Sequence, residues 1–210
     1  MNMQETKEMT LYKQGLKSRI LETAMQAFIR NGIRAVRMDD VAAELGISKR
    51  TLYEIYENKE LLLFEGVKVF SRYRREQINL KVIRCKNVME ILLAVYHMKA
   101  EEFQTTNPQF YADLMLYPKV GKFLAKENQR VRKDTDDFFL RGIKEGYFRE
   151  DVNYQLVGQL FEAIGRHVVE KQLYRKYSID DIFHNLVFVT LRGLCTSKGA
   201  KALDSIIQSY

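Results

Sequence analysis

The chain has 210 residues, of which 46% are hydrophobic and 29% charged, so it can bury a full core and is too apolar to be intrinsically disordered. Its two cysteines, Cys85 and Cys195, stand far apart in sequence, which argues against a disulfide framework and a zinc site. The net charge of +7 is concentrated in residues 61–86, which hold 7 basic and 2 acidic residues, so charge alone does not indicate a polyanionic partner.

The chain is predicted to be all-α, because it contains only two prolines and no alternating β-pattern of useful length. The polar, mixed-charge N-terminus and the absence of long apolar runs argue against a signal peptide and a transmembrane helix, so we expect a cytoplasmic protein. The first helix is predicted from about Leu11 to Arg30, with Gly32 as its stop. Its core face is expected to consist of Leu16, Ile20, Ala24, Ala27 and Phe28.

Two very short helices joined by a tight turn are predicted in residues 38–64, which is typical of a helix-turn-helix. Gly46 can adopt the positive φ that ends the first helix, and Ser48 can cap the second. The second helix opens with cationic and hydroxyl side chains: Lys49, Arg50 and Thr51. Because a recognition helix enters the major groove with its N-terminal residues, these side chains could reach phosphates and base edges. The pattern predicts DNA binding.

The segment GISKRTLYEIYENKELL, preceded by AMQAFIRNGIRAVRMDDVAAEL, resembles the DNA-binding domain of the TetR family of bacterial regulators. The resemblance implies an N-terminal three-helix DNA-binding domain and a helical C-terminal domain for ligand binding and dimerisation. The predicted DNA contacts are Arg37, Ser48, Lys49, Arg50, Thr51, Tyr53 and Lys59. Tyr53 is similar to the family's phosphate-contacting tyrosine, whereas Tyr56 is expected to pack inside.

Three positions depart from the family pattern. Arg37 stands where a threonine or serine usually caps the first short helix, so it could contact a phosphate or lie in a loop. Ile55 replaces a frequent histidine or aromatic residue. Glu54 stands at a usually aromatic position, where its carboxylate could accept from a cytosine amino group or face solvent.

A fourth helix is predicted from Lys59 to about Leu80, with Asn58 as its cap. Its core stripe is expected to be Leu61, Phe64, Val67 and Phe70. We therefore divide the chain into a DNA-binding domain, residues 1–58, and an effector-binding and dimerisation domain, residues 59–210. Further helices are predicted near residues 87–105, 108–117, 120–145, 153–175 and 179–196, with breaks at Pro108 and Pro118.

The last two predicted helices are unusually apolar for surface helices, which favours a four-helix dimer interface over a core within one subunit. Gly158 and Gly165 lie seven residues apart and would let another helix approach closely. The predicted interface comprises Leu156, Gly158, Leu160, Phe161, Ile164, Gly165, Phe183, Leu186 and Thr190. The family resemblance implies the same dimer.

The central region is rich in aromatic residues and methionine, which could line a pocket for an apolar or aromatic effector, as the resemblance implies, or could simply form the core. The candidate ligand-binding residues are Tyr96, His97, Phe103, Tyr111 and Met115. No metal or cofactor is predicted, because the three histidines fall in no ligand spacing.

We interpret the chain as a ligand-responsive transcriptional regulator, a repressor, that binds a palindromic double-stranded DNA operator as a homodimer. Two alternatives stay open at this point. An all-helical enzyme could assemble its site in the central domain from residues remote in sequence. An architectural DNA binder would need no effector.

Overall fold

The computed structural model describes residues 3–208, with side chains from residue 13 onward. In this range the secondary structure is helical, as predicted. The α-helices are α1 Met3–Asn31, α2 Met38–Leu45, α3 Lys49–Ile55, α4 Lys59–Val82, α5 Val88–Thr105, α6 Pro108–Leu114, α7 Pro118–Lys144, α8 Tyr154–Glu170, α9 Ile179–Ile182, α10 Val189–Leu194 and α11 Ser197–Gln208. A 3₁₀ turn forms at Leu173–Arg175, and a π-helix at Phe183–Phe188 joins α9 to α10.

The helices form two compact units. The first, here called the head, combines the chain up to Arg74 with residues 109–121. The second, here called the body, comprises residues 75–108 and the chain from Lys122 onward. The head thus takes in the first part of α4 and nearly all of α6, whereas the sequence analysis draws its boundary between residues 58 and 59. No helix within residues 3–208 combines the length and the apolarity that a membrane crossing requires.

The core of the head is built on α1. All five residues predicted for its core face are buried: Leu16, Ile20, Ala24, Ala27 and Phe28. Gly32 ends the helix with φ of 83°, and its N–H donates to the Phe28 carbonyl at 2.9 Å. Because a positive φ is strained for residues with a Cβ atom, a glycine suits this position. The predicted helix stop is confirmed.

Helix α4 begins as predicted, and its predicted core stripe is confirmed in part: Val67 is buried, and Phe64 and Phe70 are half-buried. The N–H of Leu61 donates to the Asn58 side chain at 2.9 Å, which confirms the cap. Leu61 itself is 38% exposed, so its assignment to the core stripe is wrong. The buried residues of α4 are Leu62, Leu63, Gly66 and Val67. The run of four consecutive apolar residues from Leu61 to Phe64 fits more than one helix face, and packing selects Leu62 and Leu63.

Helix α6 contributes a fully buried carboxylate to the head. Asp113 accepts a hydrogen bond from the Arg34 backbone N–H at 2.8 Å and another from the Gln109 side chain at 2.7 Å. Arg34 lies in the loop between α1 and α2. Because a charged group is buried only when hydrogen bonds replace its water, these contacts fix α6 against that loop. Asp113 is therefore a structural anchor of the helix-turn-helix region.

The core of the body is aromatic. Phe139 packs against Phe148 with ring centroids 5.3 Å apart and stacks on Tyr154 at 4.6 Å. Tyr96 is buried among Phe183 and Phe188, and its hydroxyl donates to Asp180 at 2.8 Å. Helix α11 is not among the predicted helices, and its Leu203 is fully buried in the same core. There Gly199 approaches the Tyr147 carbonyl so closely that a Cβ atom would lie 2.0 Å from its oxygen.

Candidate nucleic-acid interface

The turn between α2 and α3 closes as the sequence predicts. Gly46 has φ of 65°, and its N–H donates to the Ala43 carbonyl at 3.1 Å. The N–H of Ile47 donates to the Ala42 carbonyl at 3.0 Å. This pair of bonds satisfies carbonyls that the end of a helix leaves unpaired, in the arrangement called a Schellman motif. The turn is therefore set by bonds within a few residues.

Ser48 caps α3 from its side chain. Its hydroxyl oxygen accepts from the Thr51 N–H at 3.0 Å, and the hydroxyl oxygens of Ser48 and Thr51 are 2.8 Å apart. Leu52 is fully buried on the inner face of α3. The cap and the buried leucine together orient the helix and leave its first residues exposed. The predicted cap is confirmed.

Both cations at the start of α3 are exposed and paired with carboxylates. The Lys49 ammonium donates to Asp39 of α2 at 2.5 Å, and the Nε of Arg50 donates to Glu54 one turn along α3 at 2.8 Å. The hydrogen bond to Asp39, followed by its negative charge, raises the pKa of Lys49. The pKa of Arg50 is raised by Glu54 in the same way. The start of α3 is thus an array of oriented ion pairs.

Lys59 lies differently from the other predicted DNA contacts. It is half-buried, and its ammonium donates to the Val36 carbonyl at 2.5 Å and stands 5.8 Å from the centre of the Phe28 ring. Burial lowers the pKa of Lys59, and the carboxylates of Asp113 and Asp40 oppose that shift. A phosphate contact by Lys59 stays a prediction, and it would have to share the ammonium with Val36.

The remaining predicted contacts divide by exposure. Tyr53 is 47% exposed, whereas Tyr56 is 1% exposed, as expected for a packed residue. Burial raises the pKa of Tyr56, and among the described residues its hydroxyl finds no hydrogen-bond partner.

Arg37 precedes α2 with an exposed side chain, and its backbone N–H donates to Asp40 at 2.7 Å. Asp40 thus supplies the reciprocal bond of a capping box, whereas the arginine side chain cannot accept from the first-turn N–H groups as a serine or threonine would.

The five candidate ligand-binding residues fall in both units. Tyr96, His97 and Phe103 belong to the body, and Tyr111 and Met115 belong to the head. Tyr96 is buried with its ring 5.8 Å from that of the exposed His97. Phe103 is half-buried in α5. In the head, Tyr111 packs beside Phe110, and Met115 is largely exposed.

The nine candidate dimer residues also separate into two groups. Leu156 and Leu160 of α8 are 61% and 48% exposed and form an open face of the helix in one subunit. Gly158 and Gly165 lie on the opposite side of α8. Apart from chain neighbours and the backbone of α8 itself, a Cβ atom on either glycine would meet no described atom within 4 Å. The second group is half-buried: Phe161, Ile164, Phe183, Leu186 and Thr190. Of these, Phe161 and Phe183 pack against the core of the same subunit.

Three acidic residues accept hydrogen bonds that fix groups of this region, and the sequence does not predict these bonds: Asp39, Glu54 and Asp113. The spacing of four residues between Arg50 and Glu54 on one helix is a signal that could have identified their pair. Asp39 and Asp113 pair with groups on other elements. Their roles depend on tertiary structure, which local spacing does not encode.

Comparison with known proteins agrees with this geometry. Residues 20–65 match the family model described as bacterial regulatory proteins, tetR family. The chain is 28% identical over 155 residues to the HTH-type transcriptional repressor KstR2 of Mycobacterium tuberculosis, covering 67% of this chain and 73% of the relative. It is also 28% identical over 153 residues to the DNA-binding transcriptional repressor TetR of Mycobacteroides abscessus, covering 70% of this chain and 78% of the relative.

Solved structures share the fold. The ketosteroid transcriptional regulator KstR2 of Mycobacterium tuberculosis aligns with a TM-score of 0.58 at 23% identity, over 86% of this chain and 95% of that one. A regulator from Saccharomonospora viridis, solved in complex with choline, aligns with a TM-score of 0.70 at 21% identity, over 87% of this chain and 99% of that one. These alignments extend through the body, well beyond the helix-turn-helix, and support an all-α fold.

Proposed function

We propose that this chain, a member of the tetR family of bacterial regulatory proteins, represses transcription as a homodimer that binds a palindromic operator and responds to a small-molecule effector. Its relatives are named repressors, so it is a DNA-binding regulator and not an enzyme. The observation that carries the proposal is the exposed start of α3, where Lys49 and Arg50 follow the Ser48 cap. That arrangement suits a recognition helix.

The open face of α8 supports the homodimer. Exposed Leu156 and Leu160 offer apolar area that a second copy could bury, and on the opposite side of α8 Gly158 and Gly165 would let a helix approach closely. Val189 of α10 is 60% exposed as well. A two-fold dimer would place two copies of α3 in successive major grooves, about 34–36 Å apart. Such a dimer requires an operator with matching two-fold symmetry.

The aromatic core of the body supports an apolar or aromatic effector. We propose that Tyr96, His97 and Phe103 contact it, with Tyr96 offering the hydroxyl that now donates to Asp180. One solved structure of similar fold is titled a ketosteroid transcriptional regulator, and another was solved in complex with choline, and a small-molecule effector for this chain is in keeping with both titles. An effector that binds one conformation of the dimer more tightly would shift the population away from the DNA-binding form.

Removing a cation from the head tests DNA binding directly. In Lys49→Gln, we expect weaker binding to every duplex and a fall of about one unit in the dependence of log affinity on log salt, because one phosphate contact releases about one counterion. The same fall is expected for Lys59→Gln. The measurement is fluorescence anisotropy of a labelled duplex over a series of KCl concentrations.

The control is Lys176→Gln, an equal charge change at an exposed lysine of the body. It should leave the salt dependence unchanged. If all three variants behave like the original chain, neither Lys49 nor Lys59 contacts DNA. If the chain binds no duplex even at low salt, the proposed function is wrong.

A further inference from the structure

The ion pair between Arg50 and Glu54 is placed where the recognition helix would meet bases. The bond joins the Nε of Arg50 to a Glu54 carboxylate oxygen at 2.8 Å, and both side chains are exposed. An exposed pair four residues apart on a helix stabilises a protein by only about 0.3–0.5 kcal/mol. The pair therefore contributes little to fold stability, and its position at the start of the proposed recognition helix makes DNA binding the property on which we look for its effect.

The geometry of the pair leaves the base-reading edge of Arg50 available. A guanidinium has five N–H groups, and Glu54 engages the one on Nε. The four N–H groups on the two terminal nitrogens take no part in this bond. Those two nitrogens can donate together to O6 and N7 of guanine in the major groove. Glu54 thus restrains the arginine without using the atoms that would recognise the base.

The charges of Arg50 and Glu54 also affect how strongly the protein discriminates between DNA sequences. A free arginine at this position would attract the phosphates of any sequence. Glu54 offsets that attraction and is itself repelled by the backbone of every duplex. A guanine contact by Arg50 compensates for this penalty, whereas a sequence without that guanine leaves it uncompensated. Lys49 is paired with Asp39 in a similar way, so both cations at the start of α3 are partly neutralised before DNA arrives. Specificity is a difference between affinities and can be raised by weakening the wrong complexes.

We propose that Glu54 is a positioning residue that sets sequence specificity: it orients Arg50 toward guanine and penalises binding to other sequences. This role rests on the proposed DNA-binding function. Under this proposal, Glu54 neither accepts a hydrogen bond from cytosine nor simply faces solvent. The positioning role predicts a change in the ratio of the affinities for two duplexes. A purely structural role would instead change both affinities by the same factor.

The test compares two duplexes of equal length, one selected by the original chain from a random pool and one of random sequence. In Glu54→Gln, we expect affinity for the random duplex to rise about threefold to tenfold, while affinity for the selected duplex stays the same or falls. The discrimination ratio should therefore fall at least about threefold. Replacing guanine by 7-deazaguanine, which lacks N7, should weaken binding more for the original chain than for Glu54→Gln.

Two further variants separate the proposed role from simple charge. Glu57→Gln removes an equally negative, exposed side chain just beyond α3, and it should raise both affinities alike. In an Arg50→Ala background, Glu54→Gln should no longer change the discrimination ratio, because the residue that Glu54 positions is gone. Circular dichroism of each variant checks that the helical content is retained.

A Glu54→Gln variant that raises both affinities equally, or whose effect on discrimination persists without Arg50, would overturn the proposed role. The original chain selecting no sequence at all would instead contradict the proposed function. The two failures are therefore distinguishable.

Discussion

The substitution Leu160→Glu is expected to yield a monomer with an intact helical spectrum and an affinity for its operator at least about a hundredfold lower, because one head alone makes half the contacts. Leu160 is exposed on the open face of α8 in one subunit, so glutamate can be solvated there without harming the fold. In the proposed dimer, the same carboxylate would be buried against apolar surface at a cost of several kcal/mol. Sedimentation velocity at micromolar concentration measures the association state.

A second variant, Gly165→Leu, tests by size the opposite side of α8, where Gly158 and Gly165 lie. Apart from its chain neighbours and the backbone of α8, no described atom lies within 4 Å of a Cβ placed there, so the leucine fits one subunit and should wedge two apart. The control is Ile83→Glu, which adds a charge at a residue that is 79% exposed and outside α8 and α10. It should remain a dimer. An original chain that already sediments as a monomer, or interface variants that stay dimeric, would reject this interface.

Asp113→Ala is expected to lower the free energy of unfolding by about 3 kcal/mol. The substitution removes both acceptors of a fully buried carboxylate, leaving the Arg34 N–H and the Gln109 amide without their bonds to Asp113. Asp113→Asn retains one acceptor oxygen, so its free energy of unfolding should lie between those of the original chain and Asp113→Ala. Urea denaturation followed by circular dichroism gives the free energy.

The matched control is Asp137→Ala, at an exposed aspartate of α7, which should change the free energy of unfolding by less than about 0.5 kcal/mol. If Asp113→Ala proves as stable as the original chain, Asp113 does not anchor α6 in the head.

The sequence predicts those parts of the fold that depend on near neighbours. Gly32, Gly46 and Ser48 are assigned correctly because each ends or begins a helix through bonds to residues within a few positions. Apolar spacing also identifies the buried face of α1, since a long amphipathic helix has one face that fits a core. Local chemistry therefore suffices for the helix-turn-helix.

Tertiary contacts decide what the sequence leaves ambiguous. Asp113 pairs with Arg34 across 79 positions, and no local pattern marks a carboxylate for burial. The apolar stripes of α8 and of the segment containing Phe183 do not distinguish a subunit core from a dimer interface. Tertiary contacts assign Phe183 to the subunit core, where it packs against Tyr96, and leave Leu156 exposed.

Selection of duplexes from a random pool, followed by determination of the mass of the selected complex, tests the central claim that this chain recognises a specific palindromic DNA as a dimer. We expect enrichment of an inverted repeat with half-site centres about 10 base pairs apart, bound by two chains. The absence of any enriched sequence, or enrichment of an asymmetric site bound by a single chain, would contradict that account.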